Sequence, residues 1–225
     1  MGTPTFSVPI LKSLHNSNYK IQAVYTQPPK KKSRGQNIEK SPVHLESEKL
    51  NIVVRHPNKL DNNVDFNFIK SSGVKYIIVA AYGQIIPEKI LNIPNIIFLN
   101  IHASLLPRWR GAAPIQRSII EMDETTGVSI MKIVPKLDAG PYMLQESIKI
   151  EKKETFTLLS EKLSKIGSKL ILNSLERLKN KTANFLDQDE SKVTYAKKID
   201  KKESEINWNV QAKNLIAKVN GLNPY

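Results

Sequence analysis

The chain has 225 residues, enough to bury a full core, and its 40% hydrophobic and 24% charged content is that of an ordinary globular protein. Its lack of cysteine excludes a disulfide framework and a thiolate metal site, and its 4 histidines stand at no helical spacing from one another, which argues against zinc. The 34 basic and 21 acidic residues leave a net charge of +13, a field that attracts polyanions, nucleic acid first; a lysine- and asparagine-rich composition with a solvated surface accounts for the same charge equally well.

Apolar stretches such as 76–82 and 95–101 are far too short to cross a bilayer, and the N-terminus has no charged region followed by a long apolar core. Met1-Gly2 fails as a myristoylation start because Phe6 stands where Ser or Thr is needed. The expectation is a cytoplasmic chain without a membrane partner.

Along the chain, hydrophobic periodicity first predicts a helix over 7–15 with Val8, Leu11 and Leu14 inward. Strands follow at 21–26, 52–55, 75–81 and 96–102, with helices at 43–49 and 64–71 between them and a short helix opened by Pro87, whose missing donor is harmless in a first turn. A further helix is expected over 113–122. This alternation is that of an α/β domain, a Rossmann-like, mainly parallel sheet flanked by helices. Residues 126–134 and 143–150 then alternate as strands around 136–141, which predicts a hairpin excursion. Residues 155–179 carry Leu158, Leu159, Leu163, Ile166, Leu170, Ile171, Leu175 and Leu178 at helical spacing, a long amphipathic helix packed on the core.

From 180 to 202 the chain is polar and aperiodic, as a surface linker is, and 206–219 begins something new. The expected organisation is a catalytic domain over 1–180, a linker over 181–202 and the start of a truncated C-terminal domain over 203–225. Met1-Gly2-Thr3-Pro4 reads as the turn after a first strand that does not precede it, so that strand too is expected to be missing.

Chemistry concentrates in Asn100-Ile101-His102-Ala103-Ser104-Leu105-Leu106-Pro107-Arg108-Trp109-Arg110-Gly111, where a buried strand runs out into a loop. Ligands of parallel sheets bind at such carboxyl ends. Residues two apart on a strand share a face, so Asn100 and His102 project together and offer two donors to one spot. Acyl transfer to an amine needs fixed donors for the oxygen that gains charge, and Asp138, on the later excursion, is the carboxylate that would orient the imidazole and favour its charged form. Singly, each has a plainer reading: asparagine and aspartate form turns, and a lone histidine is a surface or satisfied core residue. Their joint occurrence, with Pro107 biasing Leu106 to extended geometry and Gly111-Ala112-Ala113 permitting close backbone approach, favours a site.

The run 100–117, with Ser-Leu-Leu-Pro-Arg-Trp-Arg-Gly-Ala-Ala-Pro-Ile-Gln-Arg, resembles the hallmark of the folate-dependent formyltransferases, and most closely the branch that formylates initiator methionyl-tRNA. The likeness continues through Thr126-Gly127-Val128, Leu137-Asp138-Ala139-Gly140, Asp189-Glu190-Ser191, Thr194-Tyr195-Ala196 and Ile206-Asn207-Trp208, practically the whole chain. It implies the formyltransferase fold, usually followed by a C-terminal barrel, and transfer of a formyl group from 10-formyltetrahydrofolate to the α-amino group of methionyl-initiator tRNA, with no metal and a monomeric chain. The family's catalytic residues match Asn100, His102 and Asp138, and its folate-contacting tetrad matches Ser104, Leu105, Leu106 and Pro107.

The loop Tyr82-Gly83-Gln84-Ile85-Ile86 helps wall the pterin pocket in that family, mainly through backbone groups; a plain strand-to-helix connection fits the same residues. In the basic loop 27–36 the family inserts at the tRNA acceptor end, which implicates Arg34, Lys31 and Lys32. Lys31-Lys32-Ser33 and Gln36-Asn37 depart from the family pattern there, and a solvated charge run is the plainer reading. The competing functions are a formyltransferase acting on a sugar-nucleotide amine or a glycinamide ribonucleotide, and an inactive fragment that only binds RNA or folate.

Overall fold

Residues 1–32 and 37–224 are described by the computed structural model of this chain. They fall into two units, Met1–Ile101 with Lys132–Pro135 and His102–Met131 with Lys136–Tyr225.

In the first unit, helix α1 (Ser7–His15) buries Ile10 and Leu11; Val8, expected inward, packs half-buried against the Leu11 cluster, and Leu14, also expected inward, is half-buried. Strand β1 (Val24–Tyr25) comes next, then the ribbon of β2 (Lys30–Lys32) and antiparallel β3 (Asn37–Glu39). Helix α2 (Pro42–Lys49) follows, with Pro42 in its first turn and the Ser41 hydroxyl accepting the His44 N–H at 3.1 Å. Strand β4 (Val54–Arg55) pairs in parallel with β1. The ladder is shorter than the apolar runs because Ile21 and Ile52 pack against Leu11, Val24 and Val43 without joining it.

Helix α3 (Asn63–Ser71) is capped by Asn62, whose side-chain oxygen takes the Asp65 N–H at 2.8 Å. Strand β5 (Tyr76–Val79), helix α4 (Glu88–Leu91, directly after Pro87) and strand β6 (Ile97–His102) complete the unit, β5 and β6 running parallel with Val79 opposite Asn100. Met1 and Gly2 join this framework: Gly2 N–H donates to Tyr25 C=O at 2.9 Å, and Ala80 N–H donates to Met1 C=O at 2.9 Å. Ile69, Ile77, Val79, Tyr82, Ile90 and Phe98 form its core. Their burial is the main term holding β5 and β6 in place.

The second unit starts with β7 (Arg110–Gly111) and α5 (Pro114–Ile120), which ends early because Met122 takes a left-handed turn at φ 55°. The predicted hairpin is β8 (Thr125–Lys132) against antiparallel β9 (Tyr142–Lys149), so the mainly parallel pairing of the first unit gives way here to antiparallel. Helix α6 (Phe156–Lys179) starts at the Thr155 cap and buries Leu159, Leu163, Leu170, Ile171 and Leu175 against β9 and α5, while Leu158 is exposed.

The 181–202 stretch, expected as a surface linker, carries two buried anchors, Gln188 and Ala196, and a short strand β10 (Tyr195–Ala196) parallel to β7. Its lack of period hides this, since single anchors leave no repeating pattern. Helix α7 (Ala212–Leu222) packs on α5. Among the described residues no helix is long and apolar enough to cross a membrane, and no group of three or more His, Cys, Asp or Glu residues could hold a metal ion.

Candidate active site

His102 is the last residue of β6 and is 5% exposed. Its ring is held from both ends. Nε2 lies 2.8 Å from the Trp109 carbonyl oxygen; that oxygen can only accept, so Nε2 carries a proton. Nδ1 lies 3.7 Å from Asp138 Oδ2. The same carboxylate oxygen accepts the Gly111 N–H at 2.8 Å, in a setting where the Asp138 side chain is 14% exposed.

This convergence depends on unusual backbone. Trp109 (φ 62°) and Asp138 (φ 45°) are both in the left-handed region, the first turning its carbonyl onto the histidine and the second its carboxylate. Gly111 (φ 120°) needs to be glycine, because a Cβ there would stand 2.8 Å from the Ala196 carbonyl oxygen. The bonds that set this close approach are those of β7 to β10: Arg110 N–H donates to Thr194 C=O and Ala112 N–H to Ala196 C=O, each at 2.9 Å.

The tetrad 104–107 is built from within. Ser104, fully buried, donates its hydroxyl to Arg108 C=O at 2.6 Å, so this side chain is engaged in shaping the loop. Ser129 takes the Leu106 N–H at 3.0 Å and gives its own proton to Ser104 C=O at 2.6 Å, while Gln145 Nε2 donates to Leu106 C=O at 2.8 Å. Leu106 is buried and precedes a cis peptide bond to Pro107, and Leu105 and Pro107 are partly exposed. Beyond them, Arg108 Nε and Trp109 Nε1 both donate to Asp123 Oδ2, at 2.9 and 2.7 Å. Arg108 stacks 4.4 Å over the indole, beside a cavity of about 220 Å³ that Leu105 and Thr126 also line.

In the first unit, Asn100 lies on β6 two residues before His102 and is half-buried. Tyr82 and Ile86 point into that unit's core, and burial together with Asp65 pushes the Tyr82 hydroxyl up to about 12. Ile85 by contrast is 89% exposed, and Gln84 Nε2 donates to Pro57 C=O at 2.9 Å. The Tyr82-Gly83 backbone is gripped by Gln27, whose Nε2 donates to Gly83 C=O at 2.8 Å and whose Oε1 accepts from Lys30 Nζ at 2.6 Å. Lys31 and Lys32 belong to β2, and Arg34 lies outside the described residues.

Sequence reasoning missed the Trp109 carbonyl, the Gly111 N–H and the buried Gln188. The first two are backbone groups, which side-chain patterns do not announce. The one hint of them was Gly111-Ala112-Ala113, which permits close backbone approach.

The formyl transferase family model matches residues 1–175. The methionyl-tRNA formyltransferase of Pelagibacter ubique (strain HTCC1062) is 50% identical over 225 residues, which are 100% of this chain and 73% of that relative. That of Roseobacter denitrificans (strain ATCC 33942 / OCh 114) is 43% identical over the same shares. Among solved structures, a 4-N formyltransferase from Francisella tularensis superposes with a TM-score of 0.75 at 19% identity, covering 97% of this chain and 85% of that one. The N-formyltransferase from Helicobacter canadensis, solved with folinic acid and dTDP-3-aminofucose, gives 0.72 at 19% identity over 98% and 78%. These likenesses show the formyltransferase fold. Matched over 1–175 by the family model and sharing half of its 225 residues with the Pelagibacter ubique relative, the chain belongs to the formyltransferase family, among the methionyl-tRNA formyltransferases.

Proposed function

We propose that the chain transfers the formyl group of 10-formyltetrahydrofolate to the α-amino group of methionyl-initiator tRNA, with Asn100, His102 and Asp138 as its catalytic residues. The amine attacks the formyl carbon, a tetrahedral species forms, and its C–N bond to the folate breaks, the bond pair returning to the folate nitrogen, which takes up the proton that the amine gives up. The carbonyl oxygen gains negative charge on the way. Donors already fixed in place stabilise that charge without reorganising, and Asn100 and His102, on alternate positions of one strand, are the donors of this reading.

The observation that carries it is the approach of Asp138 to His102 Nδ1 at 3.7 Å, with both side chains largely withdrawn from water. A proton on Nδ1 as well makes this a charge-assisted pair and leaves the ring a stronger electrophile. Held by the carboxylate and by the Trp109 carbonyl, the ring shares its Nε2 proton with the developing oxyanion. The catalytic domain in this reading is residues 1–180.

The folate is assigned to Ser104, Leu105, Leu106 and Pro107 and to the 82–86 loop. Ser104 serves by shaping the tetrad, and exposed Ile85 offers apolar contact. Arg34, with Lys31 and Lys32, is assigned to the tRNA, where phosphate neutralisation makes binding fall with salt.

The test is formylation by the chain with 10-formyltetrahydrofolate and charged initiator tRNA, beside a sugar-nucleotide amine as competing acceptor. We expect formyl-methionyl-tRNA alone, and a loss of about 10²–10³ in kcat for His102→Ala and for Asn100→Ala, the usual cost of an oxyanion donor. Rates within a few-fold of the parent in both variants, or preference for the sugar amine, would sink this reading.

A further inference from the structure

Gln188 reaches the backbone at the left-handed turn of Asp138. Its Nε2 donates to Asp138 C=O at 2.9 Å and to Gly140 C=O at 2.7 Å. Its Oε1 accepts the Arg110 Nε–H at 2.9 Å. Gln188 is 9% exposed and Arg110 wholly buried.

These demands define the residue. The two carbonyls only accept, so the group between them must supply two N–H donors; Arg110 Nε only donates, so the same group must also supply an acceptor. A primary amide does all three, whereas a carboxylate serves Arg110 and repels the carbonyls, and an apolar side chain serves none. Arg110 is itself costly to keep. Its Nη2 reaches Glu190 at 2.7 Å, while its buried Nη1 has no hydrogen-bond partner among the described residues, a condition that ordinarily destabilises a fold. The fold bears that cost at the point where the guanidinium fixes which way the Gln188 amide faces.

We propose that Gln188 is a positioning residue for formyl transfer: clamped by Arg110, its amide pins the Asp138–Gly140 backbone so that the Asp138 carboxylate meets His102. The inference rests on the catalytic role of Asp138 proposed above. It makes the 186–196 segment part of the catalytic apparatus. Gln188 itself contacts no substrate and acts only through Asp138.

Kinetics of Gln188→Glu, Gln188→Met, Asp138→Asn and the pairwise combinations in the full chain test this. Gln188→Glu keeps the Arg110 partner and loses both donors; Gln188→Met keeps the bulk without a buried second charge, and covers a folding failure of the first. We expect kcat to fall on the order of 10- to 100-fold, the cost of a carboxylate displaced by about an ångström. KM for folate and tRNA should stay within about two-fold, since ground-state binding is untouched. In the Asp138→Asn background either substitution should cost less than about two-fold, because residues that act through one another are not additive.

An unchanged kcat in both single variants, a change confined to KM, or equal losses with and without Asp138 overturns the inference. Asp138→Asn with parental kcat overturns the catalytic reading itself, and this inference with it. Loss in Asp138→Asn together with full activity in both Gln188 variants overturns this inference alone.

Discussion

Two loops carry the residues assigned to folate, and they are held in opposite ways. The 104–113 loop is fastened by buried groups: Ser104 to Arg108 C=O, Ser129 to both Leu106 N–H and Ser104 C=O, and the β7–β10 backbone ladder. The 82–86 loop is anchored at its ends by the buried Tyr82 and Ile86 side chains, but its Gly83 carbonyl is held by one partly exposed side chain, Gln27, with Thr3 Oγ1 reaching Tyr82 C=O at 2.7 Å. Breaking a backbone ladder or a buried hydroxyl relay leaves unsatisfied polar groups, whereas a surface amide is replaced by water. The first loop therefore has a single geometry to present to the reacting atoms. The Gly83 turn of the second can shift with its clamp.

Glycine substitutions put this contrast to the sharpest test. A Cβ at Gly111 would meet the Ala196 carbonyl oxygen at 2.8 Å and its carbon at 3.4 Å, main-chain atoms held in the β10 ladder, at φ 120°. Gly111→Ala should lose about 3 kcal/mol or more of stability from strain and clash together, and should abolish formylation because the Gly111 N–H moves off Asp138. Thermal melting and kcat read both effects. A variant that melts within a few degrees of the parent would show that the ladder gives way as readily as a side chain.

At Gly83 (φ 78°) the added carbon meets Gln27 Nε2, the far end of a flexible side chain, and next the Gln27 amide carbon at 3.3 Å. The side chain can swing aside, so Gly83→Ala should cost about 1–2 kcal/mol, mostly the left-handed strain of a non-glycine residue. It should raise the KM for folate with little change in kcat. In a Gln27→Ala background the clash disappears and the same substitution should cost only the strain. Equal costs in the two backgrounds would mean that Gln27 does not grip the loop in solution.

The sequence disclosed more of the candidate site than of its supports. Asn100, His102 and Asp138 stand out because their side chains are of chemical types that acyl transfer uses, at a strand end and on a hairpin excursion. The helices α2, α3 and α6 were legible from period, and the β8–β9 hairpin from alternation. What stayed hidden was backbone and aperiodic: the left-handed turns at Trp109 and Asp138, and the anchoring of 186–196. Within α1 the period placed Val8 and Leu11 on the packed side, where both contribute to the cluster with Val24 and Val43, but it missed the buried Ile10 and overrated Leu14, which is only half-covered. Where a helix lies over the short strands of its unit decides which side of it is covered, and period alone does not carry that.

The 186–204 segment, though fixed near the site by buried Gln188, is also tied at the surface by two carboxylates, and these give the smallest expected effect. Glu190 is held down to about 2 by hydrogen bonds first from Arg110 and then from Lys136. Glu203 is held at about 2 by Arg117 first and then by the Asp200 N–H, with Arg117 Nη1 at 2.6 Å. Both lie below the ordinary glutamate value of 4.5, so the folded chain binds fewer protons than the unfolded one between the two values. Their stabilisation is complete above about pH 4.5 and drains away as pH falls toward 2. Exposure and salt screen such pairs, so the effect is modest and is read as a difference between variants, the other carboxylates titrating alike in both. Melting of the parent and of Glu203→Gln from pH 6 to pH 3 should show a gap in Tm at the upper end that narrows as the solution is acidified. A constant gap would place the worth of Glu203 in its packing and not its charge, and would leave the buried amide as the anchor that matters on this segment.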